Sequence, residues 1–156
     1  MKLHIVVVGA RMPRWIEDGF AEYAGRMPKN ARLTLIEVRP ESRTTGKTVA
    51  QMTEAEAARI DAAMPADCER VLLDERGREF TTRELASWLE KKLEGGRDLA
   101  FVIGGPDGLS MRLKSEAGTS MRLSNLTLPH GLARVLLAEQ LYRAVSIMQN
   151  HPYHRE

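Results

Sequence analysis

Short apolar runs alternate with amphipathic stretches along the 156-residue chain. Leu3–Val8 is a near-continuous, β-branched apolar run, as expected of a strand covered on both faces. From Arg14 a helical period follows: Ile16, Phe20, Tyr23 (or Ala24) and Met27 share one face, and Pro28 ends it. Leu33–Val38 alternates roughly and predicts a second strand, and the polar stretch 39–47, with Pro40 and Gly46, a mobile loop. Val49, Met52, Glu56, Ile60 and Met64 mark a helix in which Glu56 is the weak position, and Val71–Leu73 predicts a third strand ending at Asp74. Thr81-Thr82-Arg83-Glu84 fits a capping box, opening a helix through Leu85, Trp88, Leu89 and Leu93 that stops at Gly95-Gly96. Leu99–Ile103 is a fourth, wholly apolar strand, broken at once by Gly104-Gly105-Pro106. Ser110 caps a short helix to about Ala117, and Met121–Leu128 holds a fifth strand or an extended loop ending at Pro129. A long helix then runs from about Leu132 to Gln149.

Strands and helices alternating in this way predict an α/β domain with a mostly parallel sheet flanked by helices. No repeat, low-complexity segment or linker divides residues 1–156, so a single domain is expected. The last helix is apolar around more than one stripe, with Val135, Leu136, Leu137, Leu141, Tyr142, Val145 and Met148. Either it is fully internal or its second face meets another subunit; in so short a chain the second reading, a homodimer, is favoured.

Composition narrows the class. A hydrophobic fraction of 43% and a charged fraction of 28% are those of an ordinary globule. The net charge of +2 is too weak to point to nucleic acid by itself, because phosphate binding needs a local patch. The single cysteine, Cys68, excludes an intrachain disulfide, and no apolar run reaches membrane-span length, so a cytoplasmic protein without membrane association is expected.

Candidate chemistry lies in three places. Gly104–Gly108 follows an apolar strand, where ligands meet open α/β sheets; its bland reading is a tight strand-to-helix turn. It matches neither the dinucleotide fingerprint nor the P-loop. Leu123–Gly131 is leucine-rich, bounded by Pro129 and Gly131 and without a helical period, so it either wraps a ligand with its main chain or is a strand and turn. Residues 150–155 carry two imidazoles, a phenol and a guanidinium, a mixture suited to RNA if the end is not simply solvated. Metal binding by His151 and His154 is not expected, because ligand spacing is not repeated and Cys68 stands apart.

Val102–Ser110 (VIGGPDGLS), Leu123–Ala144 (LSNLTLPHGLARVLLAEQLYRA) and the ending NHPYHRE, taken in order, resemble the RlmH (YbeA) family. These are bacterial large-subunit rRNA pseudouridine N3-methyltransferases of the SPOUT superfamily. The resemblance covers essentially the whole chain, and its ending is unusually specific. It implies a SPOUT-type fold with a C-terminal trefoil knot (knot and cofactor region about 99–150, functional tail 150–156), a homodimer, and S-adenosylmethionine as cofactor. It further implies 23S rRNA within the assembled ribosome as substrate. By motif, the implied cofactor positions are Leu73, Gly104, Leu123, Ser124, Asn125, Leu126, Thr127 and Leu128. His130, Tyr153 and His154 are the implied candidates for positioning the base or taking its proton. Arg143 and Arg155 are implied to hold phosphate or a carbonyl oxygen, and Glu139 a cofactor, RNA or dimer contact. No metal site is implied.

Overall fold

The structure, a computed structural model, describes every residue except Ala10, Thr45 and Glu156. Five parallel strands form one sheet in the order β2-β1-β4-β3-β5. They are β1 (Lys2–Val8), β2 (Arg32–Val38), β3 (Cys68–Glu79), β4 (Asp98–Ile103) and β5 (Thr119–Arg122). The helices are α1 (Arg14–Arg26), α2 (Val49–Ala63), α3 (Thr82–Glu94), α4 (Met111–Glu116) and α5 (His130–Met148).

The continuous apolar reading of β1 and β4 has its cause in two covered faces. Leu3, Ile5, Val7, Leu99 and Phe101 pack on one side with Phe20 of α1, Leu89 of α3 and Leu141 of α5. Val6, Val8, Ala100 and Val102 pack on the other with Ile60 of α2 and Leu113 of α4. The result is a helix–sheet–helix sandwich, as expected of a parallel sheet.

Local chemistry sets the helix starts. Thr48 and Thr81 each accept a hydrogen bond from the N–H three residues on, and the Gln51 and Glu84 side chains accept from the capping N–H in return. Ser110 Oγ accepts from Leu113 N at 3.2 Å and opens α4.

Two elements differ from the sequence expectation. β3 does not stop at Asp74: it runs to Glu79 and resumes pairing with β5 after a register shift between Leu73 and Arg78. Gly77 permits this, since a Cβ there would stand 2.5 Å from the Met121 carbonyl carbon. The breadth of α5 is largely used within the chain, because α5 lies between α1 and α3 and buries Leu137, Ala138, Leu141, Ala144 and Val145. Gly131 and Gly19 let α1 and α5 approach closely: a Cβ at Gly131 would lie 2.7 Å from Ile16 Cδ1, and one at Gly19 would lie 3.3 Å from Val135. Leu136 stays exposed on α5 and Trp15 on α1. No helix among the described residues is long and apolar enough to cross a membrane.

Candidate active site

The carboxyl ends of β3, β4 and β5 and the start of α5 enclose a cleft of about 710 Å³. Strand ends of a parallel sheet leave backbone groups unpaired, which makes this edge the usual ligand edge of an open α/β fold. Leu73, Gly104, Leu123, Ser124, Leu126, Thr127 and Leu128 line it, with His130 at the helix start; Asn125 is not among the lining residues. Asp74, Glu75, Arg76 and Lys114 also line it. Sequence reasoning missed these four: Asp74, Glu75 and Arg76 read as an ordinary polar turn, their position just beyond Leu73 being the available signal, and Lys114 reads as an exposed position of α4.

The glycine turn owes its shape to missing side chains. Gly108 has φ +77°, in the left-handed region, and its N–H donates to Gly105 O at 3.0 Å, closing the turn. A Cβ on Gly104 would lie 2.7 Å from the Gly108 carbonyl carbon, so the chain doubles back tightly. Residues 123–129 carry no regular structure. Leu123 and Leu128 pack against the core, Leu126 is exposed, and its N–H donates to Ser124 Oγ at 2.8 Å.

The turn is braced from below. The Glu56 carboxylate is buried on α2 and accepts hydrogen bonds from Glu41 N at 3.0 Å and Arg43 Nη1 at 3.1 Å. Arg43 Nε also pairs with Asp107 Oδ2 at 3.0 Å. A Cβ on Gly105 would sit 3.5 Å from both Glu56 oxygens. Glu41 and Arg43, in the 39–47 stretch expected to be a mobile loop, are thus tied to α2 and the glycine turn by ion pairs, with Glu41 also held by Lys47 and Arg59 at 2.7 Å each. Replacing Arg43 with Met leaves Glu56 buried with only one donor, a loss of about 1–3 kcal/mol. The expected fall in Tm, about 2–4 °C per kcal/mol lost for a chain of this size, is measured by thermal unfolding.

The C-terminal segment is docked rather than frayed. Asn150 turns the chain at φ +55°, and His151 N donates to Ser146 O at 2.8 Å. Tyr153 then lies back along α5, its ring edge-on to Tyr142 at 4.6 Å and beneath the Arg143 guanidinium at 4.7 Å. Its hydroxyl donates to Glu139 Oε1 at 3.1 Å, and Arg143 Nε donates to the same oxygen at 2.8 Å. Arg143 Nη1 and His154 Nδ1 are 3.3 Å apart. Burial, then the hydrogen bond to Glu139, pushes the Tyr153 phenol up to about 12, so it stays protonated and acts as a donor. Glu139 is thereby the carboxylate on which the tail is assembled, while Arg155 is exposed.

The candidate residues therefore form two groups. His130 lies in the cleft with the motif residues; Arg143 of α5 lies together with Tyr153 and His154 of the docked tail. Thirteen residues separate His130 from Arg143 on one helix, roughly 20 Å along its axis and about 220° around it. Burial, then the nearby Arg134 charge, holds the His130 imidazole below its ordinary value, so it is neutral at pH 7.

The structure also gives Cys68 company. Among the described residues, one cluster has metal-ligand character: His4, Cys68 and Asp98, whose ligating atoms all lie within 4.8 Å of one another. It sits toward the amino ends of β1, β3 and β4, away from the cleft. His4 Nδ1 is engaged with Thr34 Oγ1 at 2.6 Å, and burial pushes the Cys68 thiol up.

Comparison with known proteins places this arrangement. A family model described as "Predicted SPOUT methyltransferase" matches residues 1–154. A Ralstonia nicotianae protein named ribosomal RNA large subunit methyltransferase H is 59% identical over 155 residues, 99% of each chain. Its namesake from Bordetella avium is 57% identical over the same shares. A solved Haemophilus influenzae structure of a protein assigned to a methylase family aligns with a TM-score of 0.55 at 18% identity, covering 99% of this chain and 70% of that one. A Bacillus anthracis structure assigned to an RNA methyltransferase gives 0.51 at 17%, covering 99% and 98%. The match runs from β1 through the glycine turn and the leucine-rich segment into the docked tail, and by it the chain belongs to the SPOUT methyltransferase family.

Proposed function

We propose that this protein transfers the methyl group of S-adenosylmethionine to N3 of a pseudouridine in 23S rRNA of the assembled ribosome. The observation that carries the reading is full-length identity of 57–59% to proteins named ribosomal RNA large subunit methyltransferase H. The cleft suits the cofactor. Leu73 and Leu128 offer apolar surface for a methionyl chain, and the Gly104–Gly108 turn and residues 123–128 bring main-chain groups to its walls, which suits adenine. Asp74 and Glu75 add carboxylates able to accept from ribose hydroxyls. When bound there, S-adenosylmethionine supplies a methyl group on a positive sulfur.

Acceleration of an in-line displacement comes mostly from alignment. On this reading the cleft walls hold the donor end, and His130 stands beside the acceptor base. Arg143, Tyr153, His154 and Arg155 grip RNA, with Glu139 fixing Tyr153 and Arg143 in place. The two groups lie far apart and on opposite sides of α5, so a tail cannot readily serve the cleft of its own chain. A homodimer solves this, each tail completing the partner's site, and exposed Trp15 and Leu136 on neighbouring helices suit such an interface. The knot implied for residues 99–150 belongs to the same reading, as does a cytoplasmic site of action.

The test offers labelled cofactor with assembled ribosomes, free large subunits, naked rRNA and tRNA. Label in 23S rRNA of assembled ribosomes, at an N3-methylated pseudouridine, is the expected result. Label confined to tRNA overturns the substrate, and no cofactor binding by calorimetry overturns the activity.

A further inference from the structure

Arg134 is the largest side chain buried to below 2% exposure, and the residue is 1% exposed. Burying a guanidinium is costly unless every N–H finds an acceptor. Here Nε and Nη2 have no hydrogen-bond partner. The nearest carboxylate oxygen, Glu37 Oε2, is 3.7 Å from Nη1, beyond hydrogen-bond reach, and the Glu37 side chain is about half exposed. One turn earlier on α5, His130 Nδ1 is also buried and unpartnered.

Both nitrogens face one spot. A Cβ on Gly9, just past the end of β1, would stand 2.9 Å from Arg134 Nη2 and 3.4 Å from His130 Nδ1. Gly9 itself is pinned by donation of its N–H to Val38 O at 3.0 Å. The chain thus keeps a side-chain-free floor beneath two unused nitrogens, beside the cleft that His130 lines. The charged and titratable groups around Arg134 are His130 on its own helix, Glu37 of β2 and Glu17 of α1.

The reaction proposed above supplies the missing acceptor. An imide N3–H is flanked by carbonyl oxygens, and loss of its proton spreads negative charge onto them. The N3 electron pair that receives the methyl lies along the bond the proton leaves, so a residue parked on N3 would block the methyl. A donor on a flanking oxygen stabilises the same charge without standing in the way. We propose that Arg134, with His130, forms an oxyanion site over Gly9 that takes a carbonyl oxygen of the target pyrimidine and favours its N3-deprotonated form. In that step the N3–H bond breaks, the proton passes to water, and the electron pair stays on the imide. That pair then forms the N–CH3 bond as the C–S bond breaks and its electrons remain on sulfur. This role rests on the methyltransferase reading.

The test measures single-turnover methylation of ribosomes against pH for the wild type, R134Q, R134K and G9A, with cofactor affinity by calorimetry. R134Q is expected to lose about 100-fold or more at pH 7, the usual scale for removing one oxyanion donor. Its rate should rise further into alkaline pH than the wild type's, because the imide must then ionise unaided. R134K should recover part of the rate and of the profile. G9A, which places a methyl between the two nitrogens, should slow the reaction with both residues present. Cofactor affinity should stay within about threefold throughout. A wild-type rate and profile in R134Q overturns the proposal; so does a loss of rate matched by equal loss of cofactor binding with an unmoved profile in R134K and G9A, which marks a structural role. A wild-type protein that binds cofactor yet leaves ribosomes unmethylated overturns the functional reading instead.

Discussion

Removal of residues 152–156 is expected to abolish methyl transfer to ribosomes, by a hundredfold or more, while cofactor affinity stays within about twofold. None of residues 152–155 lines the cleft, which is closed by the glycine turn, the segment from Leu123 to His130 apart from Asn125, and the strand ends. What the truncation removes is the Tyr153 ring from Tyr142 and Arg143, and the hydroxyl from Glu139. The cost in stability is small, about 1 kcal/mol for one hydrogen bond and a similar amount for the ring pair. Single-turnover methylation, calorimetry and thermal unfolding of the same truncated protein separate the effects. A truncated chain that methylates at the full rate ends the tail's assigned role. Tyr153→Phe refines the test, because it keeps the ring contacts and removes only the donor to Glu139.

The second large effect is expected at Gly104. A methyl group there would lie 2.7 Å from the Gly108 carbonyl carbon and 2.8 Å from its oxygen. Both are backbone atoms held in the closed turn, so the added carbon cannot be accommodated by a side-chain rotation. Gly104→Ala should open the turn, weaken cofactor binding at least tenfold, or about 1.4 kcal/mol, and cost roughly 1–3 kcal/mol of stability. Gly25→Ala is the control. It lies in α1, where the added carbon would meet nothing within 4 Å beyond its chain neighbours and the helix's own backbone, and should gain roughly 0.5–1 kcal/mol. If the close approach at Gly104 is the cause, the melting curves of the two variants shift in opposite directions and calorimetry shows weaker cofactor binding in Gly104→Ala alone; equal, unchanged affinities would remove it.

The parts of the fold read most directly from sequence are those governed by neighbours in the chain. The two-sided burial of β1 and β4 is written in their unbroken apolar runs, and the start of α3 in Thr81 and Glu84, three residues apart. What escaped depends on partners distant in sequence. β3 continues through a polar stretch because β5 pairs with it past Gly77, and nothing in Asp74–Glu79 itself announces that partner. Glu56 reads as a blemish in the apolar face of α2 until Arg43, thirteen residues earlier, is seen against it. Cys68 stands apart in the sequence but meets His4 and Asp98 through strand register. The cleft was legible as separate motifs, since glycines and a Pro-bounded leucine segment mark sharp turns locally. Arg134 was not, because its spacing on α5 is that of any helical position; only the absence of acceptors around it sets it apart.

Arg43 touches Glu56 on one side and Asp107 on the other, and this bridge gives the cleft a sensitivity that the core lacks. The Arg43–Asp107 contact is about one-third exposed on both sides, so dissolved ions screen it, whereas packing between apolar strands and helices barely responds to them. Rising ionic strength therefore slackens the turn over the cleft long before it threatens the sheet. On the methyltransferase reading, cofactor affinity should therefore fall with salt before the melting temperature does, since the Arg43 bridge is only a small part of what holds the fold.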